Sequence, residues 1–239
     1  MARGRPRLSL LVAVLLFGTA AAPAKTSEPP GTVQLGSLAP VLPWARVTRS
    51  QPGAWAEYAL LLGGYPIAPY IRFTIVGPDV RAGSRGTWVE IWISQRPGSA
   101  TQAYKLFVSS EPATPGRLLE AKVRLLGGPV RDLPPSEIPG LVPGAGGSAA
   151  ATGRAIEPRL LEETTTVQTP AGSFVSRLAL LDANAKLPSR AWFADAVPLF
   201  GLVRLELAKE IGLELHAFGS GGASVMDEDP PPSVEAAPY

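Results

Sequence analysis

Over residues 51–219 the dominant regularity is alternation, apolar and polar side chains exchanging places at successive positions over short runs. In residues 70–76, Ile71, Phe73 and Ile75 fall on one side; in residues 87–94, Val89, Ile91 and Ile93 do the same, with Trp88, Glu90 and Trp92 opposite. Successive side chains of a strand point to opposite faces of a sheet, so both runs predict strands with one side turned to a core. The same pattern, less sharply drawn, predicts strands at 54–62, 103–109, 118–126, 162–169, 173–181, 189–194, 201–208 and 213–218. Residues 202–215 (LVRLELAKEIGLEL) have a helix-forming composition. Val203, Leu205 and Leu207 nevertheless alternate with Arg204 and Glu206, and Gly212 marks a turn, so two strands are expected there. Elsewhere only 103–108 leaves room for a helix.

Turn residues order these strands. Pro170 stands second and Gly172 fourth in a four-residue turn, the placement a type I turn favours, so 162–181 is expected to be a hairpin. A second hairpin, joining 70–76 to 87–94 about a centre at Arg81, would set Arg72 opposite Glu90, Tyr70 opposite Trp92 and Thr74 opposite Trp88. One face would then be aliphatic and the other aromatic, crossed by an ion pair. The expected fold is mainly β: an open antiparallel β-sheet or half-barrel with few or short helices. Tyr70, Arg72, Trp88, Glu90 and Trp92 form the candidate ligand-binding set.

The flanks break the pattern. Arg3, Arg5 and Arg7 precede an apolar block at 8–17 and small residues at 18–22, the layout of a secretory signal peptide over 1–24. Ten apolar residues are half of the ~20 that span a bilayer, so cleavage after about Ala24 is expected and a stable transmembrane anchor is not. Residues 25–50 read as a Pro-rich spacer and 51–219 as a single β domain interrupted by a long loop at 134–158. Residues 220–239, acidic and Pro-rich, are expected to be a disordered tail.

Charge and composition remove several classes of function. Without the three leader arginines the chain has 19 basic and 20 acidic residues, net −1, which leaves no footprint for nucleic acid. Cysteine is absent, so disulfides, thiolate metal sites and a lipidated cysteine are excluded. His216 is the only histidine and no serine elbow accompanies it, so a structural or surface role is expected; no metal, cofactor or catalytic residue is assigned. Glu57 and Glu90 lie near aromatic residues, as acids of carbohydrate-active enzymes do. Acids on alternating strands usually face solvent, and that is the expectation for both. Arginine outnumbers lysine 17 to 5, a bias that accompanies GC-rich bacterial genomes.

The later half of the chain resembles exported bacterial half-barrel proteins related to the periplasmic lipoprotein carriers and to uncharacterised envelope families. The residues that carry the likeness are TPAGSF at 169–174, Trp192, VPLFGLVR at 197–204 and the closing LELHAFG at 213–219, with an earlier echo in WVEI at 88–91. The resemblance implies an open sheet around an apolar interior, no catalytic residues, and binding of an acyl chain or lipoprotein. The function expected is that of a non-enzymatic, periplasmic or secreted envelope protein binding a lipid, acyl chain or lipidated partner in the sheet interior. The alternatives are a structural or protein-interaction module of the envelope, and a carbohydrate-active enzyme using Glu57 or Glu90.

Overall fold

The structure, a computed structural model, describes residues 42–98, 102–125, 128–133, 159–181, 189–207 and 211–226, all within the unit formed by residues 33–239. The expected leader, most of the spacer, the loop at 134–158 and the tail beyond 226 lie outside the described residues. Within them the chain forms one short helix, α1 (Trp44–Val47), and eleven strands: β1 (Trp55–Leu62), β2 (Tyr65–Arg81), β3 (Ser84–Ser94), β4 (Gln102–Ser109), β5 (Leu118–Leu125), β6 (Arg131–Asp132), β7 (Arg159–Thr169), β8 (Gly172–Leu180), β9 (Arg190–Phe193), β10 (Leu202–Glu206) and β11 (Ile211–Gly219).

The strands build a single antiparallel sheet in the order β6-β5-β4-β3-β2-β1-β11-β10-β9-β8-β7. Each half is a meander of chain neighbours, and the halves meet where β1 pairs with β11. Among the described residues the sheet is open, with β6 and β7 at its edges. The expected mainly β, open antiparallel architecture is therefore the one observed. Residues 202–215 form β10 and β11, and Thr169 pairs with Gly172 across the predicted Pro170-Ala171 turn.

The β2–β3 hairpin corrects the expected register. Its turn is Ala82-Gly83, both at positive φ (46° and 81°), which is the two-residue geometry that matches strand twist. A bulge between Ile75 and Gly77 adds a residue on β2. Together these move the pairing by two residues: Arg72 faces Trp92, Tyr70 faces Ser94, and Thr74 faces Glu90. An even shift preserves the faces, so Ile71, Phe73 and Ile75 stay on the core side, where they now oppose Ile93, Ile91 and Val89.

One apolar cluster covers the inner face of both halves and takes in Leu42, Trp44 and Val47 from the stretch expected to be spacer. Trp44 packs edge-on against Phe200 at 5.3 Å, and Phe200 against Phe73 at 5.0 Å, so α1 and the loop after β9 meet over β2. Arg46 fixes that loop by donating to the Phe200 carbonyl at 3.1 Å. The Tyr58 hydroxyl reaches past β11 to donate to the Leu202 carbonyl of β10 at 3.1 Å. Complete burial pushes that phenol well above its ordinary pKa, so it stays a donor throughout the physiological range.

Candidate functional site

All five candidate residues lie on the outer face of β2 and β3, opposite the core. They do not form one site. The Arg72 guanidinium is stacked between indoles, 3.8 Å from the Trp55 ring and 4.9 Å from that of Trp92. Burial pulls the Arg72 pKa below its ordinary value, and Glu57, opposite on β1, pushes it back. Tyr70 instead meets His216 of β11 edge-on at 5.0 Å, so the lone histidine is part of a half-buried ring contact.

Glu57 and Glu90 are both buried, at 4% and 0% exposure, which corrects the expectation that they face solvent. The cause lies in segments that fold back over the outer face. Glu57 accepts the backbone N–H of Gly98, in the turn after β3, at 3.1 Å. Glu90 accepts the Ser224 hydroxyl, the Val225 N–H at 3.0 Å and the Trp92 indole N–H at 3.1 Å. Residues 220–226, expected to belong to a disordered tail, thus cross the sheet as a strap. Arg124 of β5 donates to the Val225 carbonyl, Gly222 donates to the Gly53 carbonyl at 2.9 Å, and Met226 is buried. While the strap is in place no substrate can touch the Glu90 carboxylate.

Beside the strap, Trp88 forms a separate centre. Its indole N–H donates to Asp79 at 2.9 Å, and its ring is approached by Arg81, Lys105 and Lys122 at 5.5, 5.6 and 5.9 Å. A cavity of about 320 Å³ opens here, bounded by these residues and Met226. Sequence reasoning missed Asp79, Arg81, Lys105 and Lys122. Alternation places Lys105 and Lys122 on the outer side of their strands, but only the register brings the two face to face. Among the described residues no cluster of three or more His, Cys, Asp or Glu could hold a metal, and no helix is long and apolar enough to cross a membrane.

No protein-family profile matches the chain, and no curated protein matches it. Solved structures similar to it include a protein of Bacteroides fragilis described as exported with a YmcC-like fold, at 12% identity and TM-score 0.35, covering 72% of this chain and 97% of that one. A protein of Parabacteroides distasonis described as a lipoprotein matches at 9% identity and TM-score 0.33, over 71% of this chain and 96% of its own. MucB matches at 11% and 0.34; the alignment covers 77% of this chain and 58% of MucB. Likenesses this distant assign neither ligand nor activity.

Proposed function

We propose that the chain is a non-enzymatic, exported cell-envelope protein that acts as a protein-interaction module, its partner adding a strand along the open edge at β7. The observation that carries this reading is the filling of the inner face. Trp44, Phe73 and Phe200 occupy the space an acyl chain would need, so a ligand in the sheet interior would have to displace them. An open edge offers unpaired N–H and C=O groups, the template for strand addition. Among the described residues no strand pairs with the outer side of β7, and Leu160 on β7 and Val175 on neighbouring β8 are 53% and 71% exposed. The leader-like layout of residues 1–24 supports export. The engagement of Glu57 and Glu90 in structural hydrogen bonds favours a role without catalysis.

The test is to express the full chain in a bacterial host with a photo-crosslinking residue at Thr165 on β7, and a control at Thr114 in the β4–β5 connection. A discrete protein adduct from the envelope fraction at Thr165 alone, on a chain shortened at its N-terminus, is the expected result. Retention in the cytosol with the leader attached, or no position-dependent adduct, would sink the proposal.

A second reading, binding of a lipid or lipidated partner, is favoured by a cleft of about 450 Å³ at the end of the sheet, where Ala54, Pro198 and Phe218 supply apolar walls. Native mass spectrometry of envelope-purified protein distinguishes it: a recurrent bound lipid mass supports this reading, and repeated recovery of the bare chain opposes it.

A further inference from the structure

Residues 220–226 are held on the outer face as a peptide is held by a receptor. They form no strand of the sheet; side chains of β3 and β5 read them at successive positions. Glu90 accepts from the Ser224 hydroxyl and the Val225 N–H, and Arg124 donates to the Val225 carbonyl. Met226 is buried at the border of the cavity it shares with Val76, Pro78, Trp88 and Val130. The charges around that cavity are matched in pairs, Arg81 with Asp79, Lys105 with Glu90 and Lys122 with Asp132, so an uncharged side chain suits it.

The strap fills this place incompletely and is lightly held. Met226 alone among its residues is buried, while Ser220, Gly221 and Ala223 are exposed. One apolar side chain does little to offset the ordering of a segment that includes Gly221 and Gly222, glycine having the most conformational freedom to lose. Beneath the strap the Thr74 hydroxyl is completely buried without a hydrogen-bond partner, and the Nε–H of Arg72, two residues along the same face, has none either. Gly222 lies over Thr74, where an added Cβ would come within 2.8 Å of Thr74 Cγ2, and offers neither group a side chain. About 320 Å³ remains open where Met226 borders Trp88. Unpaired buried polar groups and uncovered apolar walls both favour a ligand that completes them.

We propose that the outer face from β1 to β5 is a groove for an extended peptide segment of a partner protein, and that residues 220–226 are its tethered competitor. The ligand shares the strap's chemistry and improves on it. A hydroxyl residue donates to Glu90 through its OH and through the N–H that follows, and the next carbonyl accepts from Arg124. An apolar side chain larger than methionine then fills the space beside Trp88. Gly221, at φ 76° with no atom near an added Cβ, gives the strap a hinge on which to leave. A second copy of the chain would bring only the same imperfect strap, at a lower effective concentration than the tether provides, so a foreign segment is the occupant. The groove lies in the other half of the sheet from β7 and does not depend on the partner proposed there.

The experiment titrates the purified full chain into a fluorescein-labelled peptide of residues 220–226 carrying Met226→Phe, followed by anisotropy. Two variants of the full chain loosen the tethered strap: Met226→Asp places a charge at a buried position, and Val225→Pro removes the N–H that donates to Glu90. Circular dichroism verifies that each keeps its fold. The expected result is saturable binding, about tenfold or more tighter to either opened chain than to the native one. Binding is expected to weaken about tenfold or more when the peptide also carries Ser224→Ala, or when Glu90→Gln is added to an opened chain. No saturable binding to either opened chain, or equal binding by native and opened chains, overturns the proposal. A native chain that sediments as a dimer beside a monomeric Val225→Pro chain would assign the groove to a second copy and overturn it as well.

Discussion

The backbone N–H of Val225 donates to the carboxylate of Glu90 at 3.0 Å, tying the end of the described chain to the middle of β3 across 135 residues. Because Glu90 is fully buried beneath this contact, its charge is stabilised by the donors around it. Glu90→Gln keeps the shape but replaces one acceptor with a donor pair. It is expected to lower stability by about 1–3 kcal/mol and to open residues 220–226 to protease. Urea denaturation and limited proteolysis check this; an unchanged cleavage pattern would show that the strap is held by other contacts.

Arg72 lies between Trp55 and Trp92, and a planar guanidinium can stack on both rings where an ammonium cannot. Arg72→Lys retains the charge and is expected to cost about 1–2 kcal/mol. The measure is chemical denaturation monitored by tryptophan fluorescence. A loss no larger than that of an exposed arginine exchanged on β8, at Arg177, would count against stacking.

Hydrogen bonds from the Trp88 indole and the Val80 amide hold the Asp79 carboxyl below the ordinary carboxylate range, with Arg81 contributing less. The fold therefore favours the ionised form. Its stabilisation is complete above the free aspartate value of about 3.9 and disappears as pH falls through the lower folded value. The Trp88 indole N–H resonance is expected to shift below about pH 4 in the native chain and to remain constant there in Asp79→Asn. An identical acid shift in the variant would place its origin elsewhere.

Phe200 is fully buried between Trp44 and Phe73. Phe200→Ala is expected to destabilise by about 3–5 kcal/mol, the range for an aromatic truncated in a packed core. Trp44 and Phe200 share a contact, so the double variant should lose less than the two single losses added together. Additive losses in a thermodynamic cycle would show that α1 and the loop after β9 pack independently.

Period-two alternation made most of the strands legible, because which side of a strand a residue takes is a local property. Val89, Ile91 and Ile93 had only to face inward for β3 to be recognised. The β10–β11 pair was legible for the same reason, alternation prevailing over a helical composition. The candidate site was harder to read. Tyr70, Arg72, Trp88, Glu90 and Trp92 were correctly assigned to one face, but their division among a ring contact, a cation–indole stack, a strap anchor and a basic cavity depended on the register. That register was set by the turn at Ala82-Gly83 and the bulge after Ile75, each able to move a pairing without altering the alternation.

By itself, then, the sequence determined that the chain is strand-built, which side of each strand is apolar, and that neither cysteine nor histidine chemistry could dominate. Tertiary structure alone decided that the outer face would also be covered, that α1 would join the core, and that Lys105 and Lys122 would stand together. The physical reason is range: alternation is written between adjacent residues, whereas burial of Glu90 and convergence of cations on Trp88 arise from segments brought together by folding, as far apart as β3 and the strap at 220–226.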